Sequence, residues 1–323
     1  MDTRAAVGVD IGGTKIAAGV VTADGEVVRR ARRDTPRDAE MITPVVAGLV
    51  RELRAEAGLD AGPVGVGAAG IVDAAGVVRY APNIAWADFP LAEQLGRMLG
   101  DPVTVDNDAN VAAWGEYRAG AGRGAHSDML LLTIGTGVGG GLIIADRLLR
   151  GAHGLGAELG HIIVAEGGPR CPCGNAGCLE AVASGTAVGR MAREALASGQ
   201  PPATSVLVDV TPGDITGKTV TSAAASGDEL AIAVLARAGF WLGVGIASLV
   251  NAIDPKTVVV GGGAMEAGEL LLGPARAAFE ERLLGRAHRP LPSVTRASLG
   301  DAAGLIGAAL LAMEAPPATV TGA

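Results

Sequence analysis

The chain has 323 residues, 49% of them hydrophobic and only 2% aromatic, and carries a formal net charge of −8. That is enough apolar material for a large core and for two lobes. A negative balance with so few rings excludes a phosphate-backbone binder, which needs cations to displace counterions and flat faces to stack on bases, and leaves an enzyme acting on a small molecule.

The opening MDTRAAVGVDIGGTK has no charged start followed by a long apolar stretch, so no signal peptide is expected and the cytoplasm is the default location. Apolar runs at Ala5–Ile11, Lys15–Thr22 and Glu26–Ala31, separated by glycine turns, predict an antiparallel meander. GVDIGGTK between the first two runs nearly spells a Walker loop, but Thr14 precedes Lys15 and a strand follows instead of a helix. The segment therefore reads as a different phosphate loop. Gly12 and Gly13 allow backbone N–H groups to face phosphate oxygens with the Thr14 hydroxyl and Lys15, and Asp10 can orient a hydrated Mg2+. The plain alternative is a hairpin turn.

Residues 38–58 have helical periodicity ending at Gly58, a strand at Val64–Ala68 runs into Gly70, and Pro82 stiffens a loop holding Asn83 before a short helix over Leu91–Leu99. A brief strand, Pro102–Val105, then meets Asp106-Asn107-Asp108-Ala109-Asn110 and a helix over Val111–Ala119. One polar residue suffices to cap a helix, and this cluster exceeds that need. A carboxylate at a strand end can accept a proton from a hydroxyl brought to it, which suggests Asp108 as the base and Asn107 as the holder of the adjoining hydroxyl.

The strand Met129–Ile134 leads into Gly135-Thr136-Gly137-Val138-Gly139-Gly140-Gly141 and a second apolar run over Leu142–Ala145. Gly135, Gly137 and Gly140 satisfy the dinucleotide fingerprint, yet that fingerprint must open a helix. A glycine-rich hairpin around phosphates is the better reading.

All three cysteines lie close behind His161, at Cys171, Cys173 and Cys178, a Cys3His set suited to tetrahedral zinc. Three small buried thiols are the structural alternative, and an odd count disfavours disulfides. Glu158 and Glu180 bracket the loop, and ionised carboxylates accept hydrogen bonds from sugar hydroxyls; a pair of surface acids would look the same in sequence. The spacing of Glu158 and His161 leaves their geometry open.

A helix over Ala181–Ser198 and a polar connector over Pro201–Lys218 follow. The long apolar run Ala231–Val250 could span a bilayer, but Arg237 interrupts it and no second span accompanies it, so it reads as a central buried helix, with no membrane partner. Lys256–Val260 is a strand meeting Gly261-Gly262-Gly263, a seat for a nucleoside. Leu270–Leu284, Val294–Ala297 and Ala302–Met313 read as helix, strand and closing helix, with a frayed tail from Pro316.

Together GVDIGGTK, NDANVAAWGE, TIGTGVGGG, GAELGH and CPCGNAGCLE resemble, in that family's order, the motifs of the ROK family of bacterial sugar kinases. NDANVAAWGEYRAG, APNIAW and the IDPKTVVVGGGAM segment are similar to its glucokinases of actinobacterial type. The resemblance implies an α/β, actin-like (ribonuclease H-like) fold of two lobes, each with a mixed sheet, and a cleft between them. The small lobe would be residues 1–108 completed by the C-terminal helix at about 302–323, and the large lobe 109–301 with the zinc loop. It implies glucose and ATP as substrates, with Mg2+ and a structural Zn2+. Asp108 would be the general base beside Asn107, and Glu158, His161 and Glu180 would bind sugar hydroxyls, with Gly70 and Asn83 also at the substrate. The zinc ligands would be His161, Cys171, Cys173 and Cys178. A homodimer or homotetramer is expected. Rival readings are a kinase for mannose, fructose or an N-acetylhexosamine, a non-catalytic sugar-binding regulator, and a repressor with a DNA-binding domain ahead of the phosphate loop, for which Gly8 leaves no room.

Overall fold

A computed structural model describes residues 5–124, 127–198 and 204–315; the expected tail from Pro316 and the start of the polar connector lie outside them. Strands β1 (Ala5–Ile11), β2 (Lys15–Thr22) and β3 (Val27–Asp34) form the expected antiparallel meander. Helix α1 (Ile42–Ala57) buries Ile42, Val46, Leu49, Val50 and Leu53, spaced for one helical face, and ends in a left-handed Gly58. Strand β4 (Val64–Ala68) pairs parallel with β1. Three short strands, β5 (Ile71–Val72), β6 (Val78–Tyr80) and β7 (Ala87–Phe89), form a small antiparallel sheet. After α2 (Leu91–Leu99), β8 (Val103–Asn107) joins β4 in parallel, giving a mixed sheet ordered β3-β2-β1-β4-β8.

Helix α3 (Asp108–Ala119) begins three residues before the apolar run that announced it. The reason is Asn107, whose side-chain oxygen accepts the N–H groups of Ala109 and Asn110 at 2.9 and 3.1 Å, so the polar cluster is both strand end and cap. Strands β9 (Met129–Ile134), β10 (Val138–Ile144) and β11 (Arg147–Leu148) follow, and β10 starts within the glycine run. The helix expected over 181–198 is two helices, α4 (Leu179–Ala183) and α5 (Gly185–Ala197), broken at Ser184, whose hydroxyl accepts the Ala187 N–H. Then come α6 (Gly217–Ala225), α7 (Glu229–Ile253), β12 (Thr257–Gly261), α8 (Glu269–Arg282), β13 (Ser293–Arg296) and α9 (Ala303–Glu314). The second sheet is ordered β11-β10-β9-β12-β13, with β9, β12 and β13 parallel.

The chain forms two compact units, Met1–Ser127 with Gly141–Ala157 and Ser298–Ala323, and Asp128–Gly140 with Glu158–Ala297. In the first, the core packs the inner faces of β1, β2, β4 and α1, while α9 covers the other side of the sheet against β1, β4 and α3. Gly307 of α9 meets the Val111 carbonyl of α3 so closely that no Cβ could stand there. In the second, α7 packs on α8 and on α4 to α6; it is long and apolar enough to cross a membrane, but 61% of its most apolar window is buried inside the unit, as a core helix is.

Candidate functional site

Strand β8 ends by turning its polar residues into a hydrogen-bonded knot. Asp106, 4% exposed, accepts the Asn107 N–H at 2.8 Å, the Asn110 amide at 2.9 Å and the Arg150 guanidinium at 2.6 Å. Nothing in the local sequence announced Arg150, which comes from beyond β11. Asn107 is held at both ends of its amide, since its Nδ2 donates to the Gly70 carbonyl at 2.9 Å while its oxygen caps α3. Gly70 and Asn107 are thereby brought together. Asp108 is the first residue of α3, with one carboxylate oxygen accepting the Ala109 N–H at 2.9 Å; negative charge is favoured at a helix N-terminus.

In the same unit, Gly12 to Lys15 forms the tight β1–β2 turn, closed by the Gly12 N–H on the Lys15 carbonyl at 2.9 Å and buttressed by the Thr35 hydroxyl on the Gly12 carbonyl at 2.7 Å. Gly13 lies against Asn83, whose Cβ would be 2.8 Å from a Cβ at that glycine, so the two predicted loops touch. Lys15 pairs with Asp301 at 3.0 Å. Asp10 is half-buried. Burial pushes its carboxyl up to about 6, with Lys15 pulling down and Asp301 pushing up.

The second unit carries the remaining acids and the thiols. Glu158 precedes a single 3-10 turn, Leu159–His161, which settles the geometry left open by the spacing. Desolvation at its carboxyl end raises the Glu158 pKa, with His161 lowering it and Glu180 raising it, although the residue as a whole is exposed. Gly174 and Gly177 adopt left-handed φ values of 97° and 76°, folding the loop back so that its ligand atoms converge. A tetrahedral zinc with ordinary bond lengths sets S···S edges of about 3.8 Å and S···N edges of about 3.6 Å. The Cys173 and Cys178 sulfurs lie 3.7 Å apart, and Cys171 Sγ lies 3.6 Å from His161 Nδ1. All four ligand atoms fall within 4.8 Å of one another. Burial raises the Cys171 and Cys178 thiols, so their thiolates call for a cation between them. The donor set and its spacing fit zinc. Glu180 closes the group: one carboxylate oxygen accepts the Val138 N–H at 3.0 Å, and the other lies 3.6 Å from Cys171 Sγ.

The glycine-rich β9–β10 turn borders a cavity of about 560 Å3 lined by Gly135, Thr136, Gly185, Thr186, Gly263 and Ala264, among others. The Thr186 hydroxyl donates to the Thr136 carbonyl at 2.7 Å and the Gly185 N–H to the Gly135 carbonyl at 2.8 Å, so the start of α5 is tied to the turn. Gly261 and Gly262 sit just behind, Gly262 against the Ile134 carbonyl. The wall from Ile215 to Thr221 was not foreseen, because the polar connector carries no motif.

Residues 6–315 match the family model described as ROK family. The chain is 43% identical over 315 residues to a glucokinase of Streptomyces coelicolor, covering 96% of this chain and 98% of that one. It superimposes with a TM-score of 0.84 on a ROK family glucokinase from Streptomyces griseus in complex with glucose and AMPPNP, at 44% identity, covering 96% of this chain and 100% of that one. A ROK hexokinase from Thermus thermophilus superimposes with a TM-score of 0.81 at 38% identity over 96% of this chain and 98% of that one. The fold is thus that of the ROK sugar kinases, as the motifs implied.

Proposed function

This chain belongs to the ROK family and is a sugar-phosphorylating enzyme, and we propose that it is a glucokinase transferring the γ-phosphoryl of ATP to the 6-hydroxyl of glucose. The observation that carries the reading is the knotted start of α3, where Asn107 holds the cap and the Gly70 carbonyl and Asp108, the first residue of the helix, supplies a carboxylate suited to take a proton. Asp108 accepts the proton of the 6-hydroxyl as its oxygen bonds to the γ-phosphorus and the bond to the β-phosphate oxygen breaks, releasing ADP. Glu158, His161 and Glu180 accept or share the other hydroxyls of the sugar, and Gly70 and Asn83 border it. Asp10, Gly12, Gly13, Thr14 and Lys15 form one phosphate-holding loop and Gly135 to Gly140 another, and Gly261 to Gly263 back the nucleoside. Zinc held by His161, Cys171, Cys173 and Cys178 would fix the imidazole and the Glu180 loop, and Mg2+ near Asp10 would neutralise phosphate charge.

The test is a coupled ADP-release assay over glucose, mannose, fructose, N-acetylglucosamine and N-acetylmannosamine. Glucose is expected to give the highest kcat/KM. Turnover favouring another hexose would move the substrate assignment, and no sugar-dependent ADP release would end the kinase reading.

A further inference from the structure

At the far end of α3 from Asp108, Glu116 is a carboxylate with 0% exposure that plays no part in the proposed transfer. A buried carboxylate is tolerated only where donors meet its oxygens. Here one oxygen accepts the Ala121 N–H at 2.8 Å, the Ser298 N–H at 3.1 Å and the Ser298 hydroxyl at 3.3 Å. The other accepts the Leu299 N–H at 2.7 Å. No cation faces it among these contacts; the site is built from peptide N–H groups and one hydroxyl.

Ser298 and Leu299 begin the turn that enters α9. Two residues on, Asp301 holds the Lys15 ammonium at 3.0 Å. In the first turn of α9, Gly304 lies against Asp10, whose carboxylate would be 2.8 Å from any Cβ added there. The turn that Glu116 anchors thus sets two groups on the phosphate loop, a counter-ion for Lys15 and a helix end against Asp10.

We propose that Glu116 is a positioning residue for the phosphate loop, acting through the 298–301 turn and Asp301 to fix where Lys15 stands. This rests on the kinase reading above. The same glutamate merely closing the end of α3 is the competing account, and the two differ in what a second substitution does.

Glu116→Gln keeps the shape but turns an NH2 toward backbone N–H donors. It is expected to raise the KM for ATP about tenfold while the glucose Kd, measured by calorimetry without nucleotide, stays within about twofold of wild type. In an Asp301→Asn background, where Lys15 has already lost its partner, the same substitution should raise the KM for ATP by about threefold or less. Effects that multiply in full, or a lowered Tm with an unchanged KM for ATP, overturn the proposal. Should Glu116→Gln fail to fold, Ser298→Ala removes only one hydroxyl donor: a KM rise that disappears in the Asp301→Asn background supports the inference, and no rise refutes it. Wild-type protein without glucose-dependent ADP release would instead sink the parent reading, so the two failures are distinguishable.

Discussion

Gly137→Ala tests how the sugar acid is held. Glu180 is aimed by the Val138 N–H, which one oxygen accepts at 3.0 Å, while the other oxygen lies 3.6 Å from Cys171 Sγ. A Cβ at Gly137 would stand well inside van der Waals contact distance of the first oxygen, so the carboxylate must swing away. Gly137 has no left-handed φ among its constraints, so the clash rather than backbone strain sets the cost. The bond lost is a hydrogen bond to an ionised group, about 1.5–3 kcal/mol. If Glu180 meets a sugar hydroxyl only in its present orientation, that loss falls on sugar binding, and at about 1.4 kcal/mol per decade it raises the KM and Kd for glucose roughly 10- to 100-fold. Asp108 belongs to the other unit, so kcat should change little by comparison. Steady-state ADP release gives kcat and KM, and calorimetry gives the Kd. A glucose Kd within twofold of wild type, or an effect confined to the KM for ATP, would refute the assignment of Glu180 to the sugar.

Three further outcomes are expected. Asp108→Asn should lower kcat by about 10²- to 10⁴-fold while glucose still binds near its normal Kd, because the amide keeps the shape but cannot take the proton; near-normal turnover refutes the base. Gently purified protein should contain about one zinc per chain, and chelation or Cys173→Ser should lower Tm and raise the KM for glucose; an unchanged Tm after metal removal refutes the brace. With Asp10 raised to about 6, kcat/KM for ATP should fall as pH drops below that value and the anion is lost. The sign for stability is opposite: a carboxyl whose folded value lies above its unfolded value is stabilised by protonation, so on this group's account the fold gains as pH falls from about 6. An acid limb that tracks a fall in Tm would refute Asp10 as its origin.

The β1–β2–β3 meander, α1 with its Gly58 stop, and the two glycine turns were legible because apolar periodicity, a left-handed glycine after a helix and runs of glycine are local signals. The start of α3 falls earlier than its apolar run because its cap lies within the same polar cluster as the proposed base. Strand β10 was read late because glycines carry no side chain to alternate, although their backbones still pair. Ser184 broke a helix by serving as the end of one and the cap of the next. Among candidate site residues, the motif positions could be named from the resemblance of their motifs to those of the family. Glu116 could not, because its partners lie 182 and 183 residues away, and neither could the Asp106 to Arg150 pair.

The need for a metal can be argued from the loop itself. Between His161 and Glu180 the chain offers few large apolar side chains; the buried cluster there consists of Cys171, Cys178 and Ala181. Only isolated bridges, Ile163 to Cys178 and Arg170 to Ala176, supplement its turns. Ordering a residue's backbone costs about 1–2 kcal/mol, whereas burying a small side chain returns well under the roughly 1.5–3 kcal/mol of a leucine. A glycine- and proline-rich loop of this kind has no core deep enough to hold a carboxylate at a fixed angle. Four ligand atoms within 4.8 Å of one another would supply that rigidity through a single bound ion, and the acid that would benefit, Glu180, is the second residue of the helix that starts after the last cysteine. On this account removing the metal should loosen Glu180 before it disturbs α5, whose cap at Ser184 is independent of the thiols.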